Sequence, residues 1–119
     1  MKNQICIFLT AFALTGCATT LSTKDPAAYE ESYEQAKVTL KTNNALGMYE
    51  KYYNKPDHKA WAQSKGTRAS SYVTNKTTAD FAIELALENC NQQLLKKYDE
   101  VSDRIACEII NVDNQWVSK

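Results

Sequence analysis

Hydrophobic positions recur along this chain in two different rhythms. From residue 25 to 54 they follow a helical spacing. Tyr29, Tyr33, Ala36 and Leu40 lie four, three and four apart, one face of an α-helix. Asp25-Pro26 before them supplies a capping side chain and a proline suited to the first helical position. "KTNN" at 41–44 interrupts the pattern, and "ALGMYEKYY" at 45–53 resumes it despite Gly47, stopping before Lys55-Pro56. A helical hairpin is therefore predicted over 26–54.

Beyond Pro56 the rhythm becomes two. "HKAWAQS" at 58–64 places His58, Ala60 and Ala62 on one face and Lys59, Trp61 and Gln63 on the other. "SSYVTN" at 70–75 is rich in β-branched and aromatic residues, and "KGTR" between the two segments supplies a turn, so a β-hairpin is expected. Thr77 and Asp80 then resemble a capping box that opens the longest helix, "TADFAIELALENCNQQLLKKY". Ile83, Leu87, Cys90 and Leu94 share one stripe, and Phe81 and Leu85 lie nearly opposite. Two stripes call for two partners: the sheet on one side and the N-terminal helices on the other. "ACEIINV" at 106–112 reads as a central strand, Asp113-Asn114 as a two-residue turn, and "QWVS" as a short edge strand. The expected fold is α+β: an N-terminal helical hairpin, then a small antiparallel sheet packed on one long helix across 57–119.

The first sixteen residues have another character. Lys2 gives a positive start, and Ile5 to Leu14 is nearly unbroken apolar sequence. That run is about half the ~20 residues a spanning helix needs. It ends in Leu14-Thr15-Gly16-Cys17, which resembles the bacterial lipobox. The resemblance implies a signal peptide over 1–16, cleavage before Cys17, a diacylglycerol on the Cys17 sulfur and acylation of the new amino terminus. Two or more acyl chains anchor stably. By resemblance to the lipoprotein sorting pattern, in which Asp after the cysteine favours inner-membrane retention, Ala18 implies the outer membrane facing the periplasm. Residues 17–25 then form a lipidated tether, and 26–119 a single domain.

Processing changes the cysteine arithmetic. Cys6 leaves with the signal and Cys17 carries lipid, so Cys90 and Cys107 remain as a pair in an oxidising compartment. A disulfide joining helix to strand is expected. A redox-active pair or metal ligation are the alternatives. Neither the close spacing of redox motifs nor further His or Cys ligands accompany the two thiols. The last sixty residues also resemble a family of uncharacterised, disulfide-containing bacterial envelope domains. The resemblance runs through Lys59-Ala60-Trp61-Ala62, Tyr72, "AIELALENC", Cys107, Val112-Asp113 and Trp116. It implies a fold and a disulfide, and no activity.

Charge adds little. Fourteen basic residues balance fourteen acidic ones, which gives no reason to expect nucleic acid as a partner. His58, the one histidine, lacks a nucleophile motif. Asp80, Glu84 and Glu88 form a carboxylate stripe that reads as a solvated flank rather than a metal site. Tyr49, Tyr52 and Tyr53 are candidates for an exposed aromatic binding patch. These features predict a non-catalytic lipid-anchored envelope protein with a protein-binding or structural role, an envelope protein as its partner, and no cofactor. An inhibitor or immunity-type lipoprotein acting through the tyrosines is the alternative, and a hydrolase using His58 with carboxylates a third reading.

Overall fold

The computed structural model describes residues 25–118. Three helices and four strands appear in the order α1 (Pro26–Thr39), α2 (Asn43–Tyr53), β1 (Ala60–Ser64), β2 (Ser70–Val73), α3 (Ala79–Leu95), β3 (Cys107–Val112) and β4 (Gln115–Trp116). The strands pair antiparallel in the order β2-β1-β3-β4. This is the expected α+β architecture. The signal segment, Cys17 and the tether up to residue 24 lie outside the described residues.

Each helix begins where its sequence provides a cap. Asp25 Oδ1 accepts from the Ala27 amide at 3.1 Å, with Pro26 following. Thr42 Oγ1 accepts from the Ala45 amide at 3.0 Å, so α2 restarts at Asn43, within the stretch expected to interrupt it. Thr78, one residue beyond the expected Thr77, caps α3 by accepting from the Phe81 amide at 3.0 Å.

The sheet has a helix layer on each face. On one side lies α3, whose buried stripe of Ala82, Ala86, Cys90 and Leu94 meets Ala60, Ala62 and Cys107, with Ile83 and Leu87 at its margin. On the other side lies the α1–α2 hairpin, whose Ala36, Ala45, Tyr49, Tyr52 and Tyr53 pack with Trp61 and Ile110. This corrects the expectation that α3 would bridge sheet and hairpin. Phe81, on the second stripe of α3, is 44% exposed. The hairpin covers Trp61 and Tyr72, large rings that would otherwise stand in water on the far face of the sheet.

All five residues of β1 are buried, as a central strand between two layers requires. Its pairing with β3 shifts between Trp61 and Ala62: Trp61 opposes Asn111 and Ala62 opposes Ile109. Ile110 is therefore the extra residue of a β-bulge. The bulge puts Ile110 and Asn111, neighbours in sequence, both on the hairpin side, while Ile109 and Val112 pack toward α3. Asp113 and Asn114 have φ of 49° and 68°, the left-handed pair of a type I′ turn between β3 and β4. In the β1–β2 turn, a Cβ on Gly66 would lie 2.8 Å from the Arg104 carbonyl oxygen, so only glycine fits beneath that segment.

Candidate functional site

Cys90 and Cys107 are bonded, with Cα atoms 6.1 Å apart, and the bond ties α3 to the first residue of β3. Asn91 Oδ1 accepts from the Cys107 amide at 3.0 Å, so the strand start is held twice. The bond lies within the α3 layer, with Cys90 fully buried.

The tyrosine patch is corrected. Tyr49 and Tyr52 are wholly buried and Tyr53 is 6% exposed. Tyr49 stacks on Trp116 at 5.3 Å, and Tyr52 sets its edge against Trp61 at 5.2 Å and Tyr72 at 5.4 Å. Packing these rings on the sheet removes their apolar area from water within the domain itself. Their hydroxyls are satisfied internally. Tyr52 donates to Asn111 Oδ1 at 2.9 Å, and Tyr49 makes a short hydrogen bond with the Ser32 hydroxyl. Burial, first among several causes, raises the pKa of both hydroxyls above the usual tyrosine value.

The polar organiser of this layer is Lys59, which the strand pattern placed on the Trp61 face without assigning it a task. Its ammonium is buried and donates to the carbonyls of Tyr52 (2.9 Å), Tyr53 (2.8 Å) and Lys55 (2.7 Å), the free end of α2. A cation at a helix C-terminus meets both unpaired carbonyls and the negative end of the helix dipole. Four residues on, Gln63 Nε2 donates to the Thr39 carbonyl at 3.0 Å, at the end of α1. Alternate positions of one strand segment thus hold the tails of both hairpin helices, with Trp61 between them. Lys41 does the converse from the helical side, donating to the carbonyls of Ser64, Lys65 and Thr67 at 2.8, 2.9 and 3.1 Å.

His58 stands at the rim, about half exposed, with Nδ1 3.8 Å from Asp113 Oδ2. Asp113 is itself engaged by the Lys59 amide, which donates to Oδ1 at 2.8 Å. Neither contact brings a nucleophile to the imidazole. Asp80, Glu84 and Glu88 are exposed along α3. Among the described residues no three His, Cys, Asp or Glu side chains converge as metal ligands, and no helix is long and apolar enough to cross a membrane.

One concavity has mixed chemistry. A groove of about 430 Å³ runs between α1 and the β3–β4 turn, lined by Glu31, Ser32, Gln35, Asn114, Gln115 and Trp116 among others. The sequence pattern missed it because its walls come from segments about 80 residues apart. The Trp116 indole N–H donates to both the Ser32 carbonyl (3.2 Å) and hydroxyl (3.1 Å), which fixes the ring between helix and turn. No family model, curated protein or solved structure matches the chain.

Proposed function

We propose that this chain is a lipid-anchored bacterial envelope protein, retained at the outer membrane through Cys17, that works by binding rather than by catalysis. The observation that carries the reading is the division of its four cysteines. One lies in the signal and one closes a lipobox-like Leu14-Thr15-Gly16-Cys17, while the remaining two are joined as a disulfide, a bond at home in an oxidising compartment. His58 sits half exposed at the rim against Asp113, whose other oxygen is held by the Lys59 amide, as a surface turn residue would. The inhibitor alternative loses the contact it was given, because Tyr49 and Tyr52 are core residues.

The test is the intact mass of the protein recovered from membranes of a Gram-negative host. The expected product begins at Cys17, carries acyl chains and has no free thiol. Cys17→Ser should abolish acyl labelling and leave the chain in the aqueous phase on detergent partitioning. A product that begins at Met1 with unmodified Cys17 would overturn the anchor. Turnover of an envelope substrate by the pure protein would overturn the non-catalytic role.

A further inference from the structure

The groove beside Trp116 is the place where the folded domain presents aromatic and hydrogen-bonding groups together. We propose that it binds a neutral saccharide, with one sugar ring laid against Trp116 and its hydroxyls met by Glu31, Gln35 and Gln115. The proposal rests on the reading of this domain as a binder and supplies the class of ligand.

The indole is a prepared surface. One side of it stacks on Tyr49 at 5.3 Å and 23°, and its N–H is spent on Ser32, so the ring neither swings nor offers a donor. What it contributes to the groove is ring area, which suits the C–H face of a sugar and adds affinity without ordering a loose side chain. Around it stand amides that both donate and accept, and a carboxylate that accepts. Gln115 and Gln35 are exposed amides, the latter with its Nε2 donating to Thr39 Oγ1 at 2.9 Å and its oxygen left to accept, and Glu31 is an exposed carboxylate. An amide or carboxylate can engage two neighbouring hydroxyls at once, which matches the rim of a sugar ring.

Asn114 forms part of the groove wall. Its Nδ2 donates to the Tyr53 carbonyl at 3.1 Å, which fixes the amide's orientation, and its Oδ1 is left buried with no hydrogen-bond partner among the described residues. A buried acceptor without a donor costs free energy in the empty protein. Trp61 Nε1 and Asn111 Nδ2 in the hairpin layer are closed off from water in the same way, so the cost belongs to the aromatic packing that holds this wall in place.

Charge decides against anionic ligands. No Lys, Arg or His lines the groove, so phosphate, nucleotide and acidic peptide find no counter-charge there. Its volume lies within the ~300–1,000 Å³ of small-molecule sites, enough for a short oligosaccharide lying in an open trough.

The chain has two tryptophans, one in the groove and one buried beneath the hairpin, which gives an internal control. The full chain, nitrogen-15 labelled and held in a polyoxyethylene detergent free of sugar, is titrated with chitotetraose and with cellotetraose while the two indole N–H resonances are followed. The expected result is a saturable shift of the Trp116 signal with at least one sugar, the Trp61 signal staying in place. The double variant Gln35→Ala/Gln115→Ala should bind about tenfold more weakly, the loss of one to two hydrogen bonds, and melt at an unchanged temperature. No Trp116 shift at millimolar concentrations of either sugar overturns the proposal. So does an affinity unaltered in the variant, or an equal response to choline, which would mark a cation site. Acylation at Cys17 is read separately by mass. An acylated chain that binds neither sugar overturns this inference alone, and an unacylated chain that binds one overturns the anchor alone.

Discussion

The two faces of the sheet are built on opposite principles. Against α3 the centre of the contact is made of small side chains, Ala60 and Ala62 from the strand and Ala82 and Ala86 from the helix, all fully buried, with aliphatic Leu94, Ile83, Leu87 and Ile109 around them. Small residues let helix and strand approach closely but bury little apolar area each. The Cys90–Cys107 bond makes up the difference by restricting the unfolded chain. Against the α1–α2 hairpin the contact is aromatic, with Tyr49, Tyr52, Tyr53 and Trp61 in mutual ring contact. That layer has no covalent tie but carries many polar atoms inward, and Lys59, Gln63, Asn111 and Ser32 satisfy most of those on the hairpin, while Trp61 Nε1 and Asn111 Nδ2 stay buried without a partner. The lesson is that a domain of this size reaches stability twice over by different means: a thin layer that is stapled, and a thick one that is wired with hydrogen bonds.

Substitutions on each side should expose the contrast. Trp61→Ala, which empties the centre of the aromatic layer, should cost about 3–5 kcal/mol, read as a fall in the urea midpoint. Cys90→Ala with Cys107→Ala should cost about 3 kcal/mol, the value for closing a loop of this length, with the hairpin layer retaining its near-ultraviolet aromatic signal until global unfolding. Lys59→Met preserves the apolar stem but strips donors from three carbonyls. A loss of about 2 kcal/mol is expected, with the last turn of α2 exchanging its amide hydrogens faster. Ala86→Leu overfills the close contact and should cost about 2 kcal/mol, whereas a residue that is exposed on the same helix, such as Glu88, should accept leucine with little change in the midpoint.

Alkaline pH provides the gentlest probe. Tyr49 and Tyr52 ionise near pH 10 when unfolded and only above it when buried, so the folded state keeps protons that the unfolded state releases. Stability is undiminished below pH 10 and falls above it, by about 1.4 kcal/mol per pH unit for each buried hydroxyl. Tyrosinate absorbance should therefore rise together with unfolding, and Tyr52→Phe should flatten the fall.

Much of this arrangement is written locally and could be read there. Asp25-Pro26 caps α1, the stripe through Cys90 and Leu94 faces the sheet, and Asp113-Asn114 turns β3 into β4, because each depends on neighbours along the chain. What stayed hidden depends on partners far away. The bulge at Ile110 resets the alternation of β3, and nothing within "CEIINV" announces it, since the irregularity is a property of its pairing with β1. Tyr49 and Tyr52 look like interface residues until Trp61 and Tyr72 are known to lie beneath them. Lys59 looks like a surface charge until the end of α2 arrives above it. The sugar groove likewise joins Glu31 and Gln35 of one helix to a turn near the other end of the chain.

The cap at Asp25 also sets a height. Position 17 is eight residues earlier, and a fully extended backbone covers at most about 3.6 Å per residue. A domain moored by fat at that cysteine would hang within roughly 30 Å of the bilayer, on a leash too short to roam. Anything such a moored domain grasped would have to come to the membrane face.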